Sequence, residues 1–318
     1  MWWKSRKRKD TAPSPEVREE VREEGRASLS EIAKKVKAVE LVTRRHSSAH
    51  LLGQYKSRFK GQGMQFSDFR VYQYGDDTRH IDWRTSARHQ DTYVKTFEEE
   101  RELNIICVVD VSASNLFGTE EYNKREALCL AIAAIAFSAI ENNDRVGLIL
   151  YTDGVERYVP PKKGKKHVLR IIDELLSFEP QKKGTNLTKA LEFVSGVAKH
   201  NSVVLLASDF YSTLDRKRLS VLAQRHDLIA MHAADPRDIA FPPLGLMELE
   251  DPETGATLLV DTSSSTFQKQ FSEAQQKKLK ANFDELRQSG AALVKLGTER
   301  DPSKEISRFF HERKRARR

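Results

Sequence analysis

Asn104-Ile105-Ile106-Cys107-Val108-Val109-Asp110-Val111-Ser112-Ala113-Ser114 is a short apolar run, bounded by polar residues, that ends in three oxygen-bearing side chains at alternate positions. An Ile/Val/Cys run without period-two alternation is the pattern of a central parallel strand whose two faces are both covered by helices. Asp110, Ser112 and Ser114 then fall just past its carboxyl end, where open α/β sheets place their ligands. One carboxylate and two hydroxyls are hard oxygen donors, a set that suits Mg²⁺, Mn²⁺ or Ca²⁺ rather than zinc or copper. Read alone, the same residues equally describe a serine-rich turn in which Asp110 caps the following segment.

Outward from this stretch, the pattern after residue 102 alternates apolar strands with helices. The spacing predicts a helix over 122–142, strands over 145–151 and 155–159, and helices over 165–177 and 187–200. Beyond these it predicts a strand over 202–208, a helix over 214–225, a strand over 228–233, a hairpin across 247–261, a long helix near 265–289 and a strand over 291–296. The implied class is α/β, with a doubly wound, mostly parallel sheet, right-handed crossovers and helices on both faces. Val203-Val204-Leu205-Leu206-Ala207-Ser208-Asp209 repeats the design of the first strand, an apolar run ending in a carboxylate. If the two strands flank the switch point of the sheet, Asp110 and Asp209 meet in one crevice. Between them in sequence, Gly184 permits a tight loop and Thr185 opens a helix, which adds a hydroxyl from a third loop. By itself a threonine at a helix start is an ordinary cap.

The front of the chain reads differently. Residues 1–27 form a basic, Pro-interrupted leader expected to be disordered, and residues 28–100 a small module of one helix followed by short strands and turns. Ser28-Leu29-Ser30-Glu31 has the form of a capping box, with Leu29, Ile32, Val36, Val39 and Thr43 at helical spacing behind it. From residue 53 to 100 the chain is dense in aromatics, glycine and paired charges. Asp76, Asp77 and Asp82 interleave with Arg70, Arg79, Arg84 and Arg88, an alternation that reads as an ion-pair network. The organisation is completed by an α/β domain over 101–300 and a helix with a basic tail over 301–318, whose run Arg313 to Arg318 reads as a solvated end.

Composition bounds the function. The chain of 318 residues carries a formal net charge of +8, but much of the excess sits in its two ends, and no recognition helix, RNP-like strand or zinc finger accompanies it. Nucleic acid is therefore not the expected partner. Trp2 and Trp3 beside Lys4 to Lys9 offer only a weak peripheral membrane contact. The apolar stretch over 127–140 is Ala-rich and too short to span a bilayer, so it reads as a buried helix. With no signal-peptide core after Met1, a cytoplasmic protein is expected. Cys107 and Cys129 lie inside apolar elements and read as small buried hydrophobes.

Asp110-x-Ser112-x-Ser114, Thr185 in Gly-Thr-Asn-Leu-Thr, and Asp209 after an apolar strand together resemble the metal-ion-dependent adhesion site of von Willebrand factor type A domains. Gly61-x-Gly63-x-x-Phe66, Arg70-x-Tyr72, Gly75-Asp76-Asp77-x-Arg79-x-Ile81-Asp82-Trp83, Ala87-Arg88 and Phe97-Glu98-Glu99-Glu100-Arg101 resemble the signature of the bacterial "domain of unknown function 58" family. The likeness continues through Pro160-Pro161, Ser208-Asp209-Phe210, Asp251-Pro252-Glu253-Thr254-Gly255 and Phe309-Phe310. By that resemblance Ser112 and Ser114 ligate a divalent ion, Thr185 joins in one state, and Asp110 and Asp209 act directly or through water. A partner protein's carboxylate fills the remaining position. Asn115 stands where methionine commonly follows the second serine, a departure outside the ligand set. The resemblance also implies a MoxR-type AAA+ ATPase as partner in assembling or maturing protein complexes. This chain has no phosphate-binding Gly-x-x-x-x-Gly-Lys-Ser/Thr loop of its own.

The expected function is a non-enzymatic, Mg²⁺-dependent protein-binding module. Two other readings compete with it. One is a metal-dependent hydrolase using the same ion with Asp76, Asp77, Asp82 or His80 as acid or base, though a second metal or paired base is missing. The other is a scaffold whose oxygen cluster is a capping network with no ion.

Overall fold

A computed structural model of the chain describes residues 34, 36–37, 65–88, 91–98, 102–116, 118, 122–182, 184–199, 201–240, 242–250 and 257–316. The leader with Trp2 and Trp3, the capping box at Ser28, the glycines at 61 and 63 and the hairpin tip at 251–255 lie outside the described residues. The chain divides into two compact units, Tyr55–Glu102 and the remainder.

In the smaller unit, β1 (Gln65–Val71) pairs antiparallel with β2 (Tyr93–Glu98), and a 3-10 turn (Thr78–His80) and the one-turn helix α1 (Trp83–Ser86) fill the connection. Its alternating charges are used locally. Arg70 forks onto both oxygens of Asp76 at 2.6 and 2.7 Å, and Arg79 pairs with Asp77 at 2.8 Å. Asp82 caps α1 by accepting from the Thr85 N–H at 2.9 Å and pairs with Lys95 at 2.8 Å. The Lys95 ammonium, and then the Thr85 N–H, hold the Asp82 carboxyl down to about 2. A lowered folded value means that this contribution to stability is full above the ordinary value of 3.8 and is lost as pH falls from there towards 2. An NMR titration should place the Asp82 midpoint near 2 and see it move up towards 3.8 in Lys95→Met.

The larger unit is built on a six-stranded sheet. In chain order its elements are β3 (Asn104–Asp110), α2 (Lys124–Glu141), β4 (Arg145–Tyr151), β5 (Val155–Lys162), α3 (Lys165–Ser177), α4 (Leu187–Val197), β6 (Val203–Ser208), α5 (Arg216–Arg225) and β7 (Asp227–Ala234). After these come a separate hairpin of β8 (Leu246–Glu250) and β9 (Thr257–Asp261), then α6 (Ser265–Gln288), β10 (Ala292–Gly297) and α7 (Pro302–Arg315). The sheet order is β10-β7-β6-β3-β4-β5, parallel except for β5, which returns antiparallel on the edge beside β4. The fold is thus mixed α/β with a mostly parallel sheet. From β3 the chain first builds outward through β4 and β5, then crosses to the other side to add β6, β7 and β10. The reversal lies between β3 and β6.

Burial on both faces explains the unbroken apolar strands. On one face Ile106 and Val108 join Ile149, Val204, Leu206, Leu228 and Ala230 under α4, α5 and α6, with Leu191, Leu222 and Phe283 opposite them. Side chains of β3 alternate between faces, and Ile105, Cys107 and Val109, which point the other way, are equally buried. On that side α2 packs against α3 and α7. Helix α2 is apolar on all sides from Ala127 to Ala139 because that stretch is buried throughout. No helix among the described residues is long and apolar enough to cross a membrane. Both cysteines are free and buried, and burial pushes each thiol up to about 12.

Most element boundaries fall within two residues of the spacing-based expectation. The expected strand over 155–159 runs on to Lys162 because it pairs along the whole of β4. The helix expected over 214–225 begins only after Asp215, whose side chain accepts from the Arg218 N–H. The C-terminal basic run is corrected at Arg313. Helix α7 puts Ile306, Phe310 and Arg313 on one face at spacings of four and three, and Arg313 reaches the fully buried Asp227 at 2.5 Å.

At Gly147 of β4 a side chain has no room. A Cβ there would stand 2.9 Å from Pro161 Cγ and 3.0 Å from Pro161 Cδ, where β5 bulges past it. Gly147→Ala is expected to lower stability by about 1–3 kcal/mol through overpacking. In chemical denaturation, Pro161→Ala should recover part of the loss in the same background.

Candidate metal centre

The carboxyl ends of β3 and β6 each deliver acid to the point where the sheet order reverses, and β7 beside them is followed by Asp235 and Asp238. Asp110 is the last residue of β3 and is fully buried. Its Oδ1 accepts from the Ser112 N–H at 2.9 Å, and its Oδ2 accepts from the Ser208 hydroxyl at 2.9 Å. The chain after β3 closes into a 3-10 turn (Ala113–Leu116), with the Asn115 N–H donating to Ser112 O at 3.0 Å. That turn brings the hydroxyls of Ser112 and Ser114 to 2.9 Å from each other.

Asp209 follows β6 directly. Phe210 then takes a left-handed backbone, φ 51°, a costly conformation for a residue with a side chain. Three contacts hold it there. The Phe210 N–H donates to Ser208 Oγ at 3.1 Å, Asn282 Nδ2 donates to Phe210 O at 2.7 Å, and the ring is fully buried near His232. The turn leaves Asp209 4% exposed, with Oδ1 accepting from the Tyr211 N–H at 3.3 Å. Its Oδ2 has no hydrogen bond and lies 3.7 Å from Lys124 Nζ.

The electrostatics follow from burial. Desolvation, then the negative charge of Asp209, push the Asp110 carboxyl up to about 7 against the pull of its Ser112 and Ser208 hydrogen bonds. Burial also raises the hydroxyls of Tyr151 and Tyr211, with nearby carboxylates as the second cause. His232 is pushed down to about 3 by burial. Both side-chain polar atoms of Asn115 and the hydroxyls of Tyr211 and Ser212 are buried without a hydrogen bond. Such groups are few in folded proteins, and an ion or ordered water is a common reason for them. Two buried carboxylates and two adjoining hydroxyls, with one carboxylate oxygen unsatisfied, fit a hard divalent cation. Among the described residues no group of three or more side chains drawn from His, Cys, Asp and Glu is placed to hold a metal ion.

Thr185 arrives by a different route. It is half-buried and precedes Asn186, which caps α4 and donates its N–H to Thr152 O at 2.8 Å. Glu156 accepts from the Gln181 and Lys182 N–H groups at 2.8 and 3.2 Å and from the Thr152 hydroxyl, so the loop is clipped to the turn after β4. This brings Thr185 to the end of the strand beside β3, while Ser112, Ser208 and Asp209 act on Asp110 directly by hydrogen bond or charge.

The sequence pattern assigns no role to four residues here: Ser208, Lys124, Asp235 and Asp238. The signal for the last two was present, since β7 is a third apolar strand followed by acid, Asp235-Pro236-Arg237-Asp238. Lys124 gave none, being a lysine at the head of an apolar helix.

A profile of the family described as "Protein of unknown function DUF58" matches residues 68–281. The uncharacterized protein Rv1480 of Mycobacterium tuberculosis is 28% identical over 287 residues, covering 89% of this chain and 90% of its own. The uncharacterized protein YeaD of Bacillus subtilis is 30% identical over 107 residues, 33% of this chain and 24% of its own. Among solved structures, the conserved hypothetical protein BatB of Bacteroides thetaiotaomicron is 14% identical with a TM-score of 0.45, covering 66% of this chain and 98% of that one. An aerotolerance-related membrane protein from Bacteroides fragilis is 12% identical with a TM-score of 0.45, covering 66% and 99%. Scores of this size leave the fold type to be argued from topology.

Proposed function

This chain belongs to the DUF58 family, and from that premise we propose that it is a divalent-metal-dependent protein-binding module with a von Willebrand factor A-like sheet. The observation that carries the reading is the pair of buried carboxylates, Asp110 and Asp209, at the reversal point, with the Ser112 and Ser114 hydroxyls beside them and Asp209 Oδ2 left without a hydrogen bond. Asp110, Ser112, Ser114 and Asp209 would hold Mg²⁺ or Mn²⁺, with Thr185 on the loop before α4 as the further donor that the resemblance implies. When bound, the ion supplies a positive centre that accepts a carboxylate oxygen from another protein. The chain's own part is to fix the donors. Ser208 orients Asp110, the strained turn at Phe210 aims Asp209, and the 3-10 turn presents the two serines.

The reading remains a binding function and not an enzymatic one. In the smaller unit Asp76, Asp77 and Asp82, three of the four residues a hydrolase would draw on, with His80 the fourth, are taken up by arginine, lysine and a helix cap. The further proposal that a MoxR-type ATPase is the partner rests on the family resemblance. Capture of that ATPase by the immobilised chain is expected in Mg²⁺ and is expected to disappear in excess EDTA. Capture that persists with the metal chelated would remove the metal from the reading.

A further inference from the structure

Lys124 is the first residue of α2 and is completely buried. A cation at a helix N-terminus meets the positive end of the helix dipole, and a buried ammonium loses its hydration, so both local terms oppose it. Two carboxylates offset them. Nζ lies 2.7 Å from Asp238 Oδ1 and 3.7 Å from Asp209 Oδ2. Asp238 is itself aimed, because its Oδ2 accepts from the Asp235 N–H at 3.0 Å in a capping box. Asp235, the fourth buried acid of this region, is engaged instead by the Thr298 hydroxyl and the Arg237 N–H, both at 2.9 Å.

We infer that Lys124 is a positioning residue that sets the charge of the metal centre, its ammonium standing between Asp238 and Asp209 so that the centre discriminates against trivalent ions in favour of divalent ones. The inference rests on the metal reading above. The single positive charge of Lys124 offsets one of the carboxylate charges gathered here, so an entering cation meets less net negative charge with the ammonium present than without it.

The test is the ratio of Tb³⁺ to Mn²⁺ affinity in the full chain, from Tb³⁺ luminescence and Mn²⁺ calorimetry. Lys124→Met should tighten Mn²⁺ by about tenfold and Tb³⁺ by more, because the repulsion removed scales with the charge of the ion. Asp238→Asn keeps the ammonium and removes one negative charge, so it should weaken both ions and lower the ratio. Lys124→Met with Asp238→Asn should return the ratio close to the parent's. A ratio that stays unchanged in folded Asp238→Asn overturns the inference, even if Lys124→Met fails to fold. A purely structural lysine would alter stability in all three proteins and leave the ratio alone. A parent chain that binds neither ion sinks the metal reading itself, an outcome distinct from binding with an unmoved ratio.

Discussion

Asp110→Asn is expected to give a protein that is more stable than the parent without metal and blind to Mn²⁺. The side chain keeps its shape, its Oδ1 still accepts from the Ser112 N–H, and its new amide faces Ser208 Oγ. What it loses is a charge that is fully buried and repelled by Asp209. A pKa unit is worth about 1.4 kcal/mol, and after the relaxation usual at buried sites the gain should be roughly 1–3 kcal/mol. In the parent, Mn²⁺ at about a hundredfold over its Kd should add about 2.7 kcal/mol. For a chain of 318 residues that is a rise of about 4 °C in the thermal midpoint. The variant should show none of it. A capping network without an ion predicts no metal response in the parent. Mn²⁺ stabilisation that survives in Asp110→Asn would place the ion elsewhere.

Arg125→Met should be among the most destabilising single changes in the larger unit, costing about 2–4 kcal/mol. Arg125 sits beside Lys124 in α2 and is only 6% exposed. Its Nε donates to Leu175 O at 2.6 Å, and its Nη2 donates to Phe178 O at 2.7 Å. These carbonyls end α3 and have no helical partner of their own. Methionine fills much of the volume and supplies no donor, so the cost is that of leaving carbonyls unsatisfied in a largely buried place. Burial already lowers the guanidinium's affinity for its proton, so the group is held for its hydrogen bonds against an electrostatic penalty. Arg125→Lys, with one ammonium in place of a fork, should lie between the two in urea denaturation. A loss below about 0.5 kcal/mol in Arg125→Met would mean that water takes over both carbonyls.

The two neighbours at the head of α2 illustrate what a pattern can carry. Periodicity marks 122–142 as an apolar helix and fixes its start to within two residues, since capping is a local interaction of Asn123 with Glu126. Nothing in a one-dimensional pattern tells Lys124 and Arg125 from the exposed cations found at most helix ends. Their partners, Asp238 and the end of α3, lie 114 and 50 to 53 residues away.

The sequence by itself determined the strand-and-helix alternation, the apolar β3 and β6 each ending in a carboxylate, and the burial of α2, because covering both faces of a strand or all sides of a helix forces composition directly. It also determined that Asp110, Ser112 and Ser114 share one turn, since two-residue spacing is short-range geometry. Only the tertiary structure decided that β3 lies beside β6, which brings Ser208 onto Asp110 across 98 residues and sets Asp209 against it. It alone drew Arg313 out of a basic tail onto Asp227 and placed a lysine among the acids. The physical reason is common to these cases. Burial is written in the identity of each residue, whereas a charge records only its sign, and its partner is chosen by the packing of elements far apart in the chain.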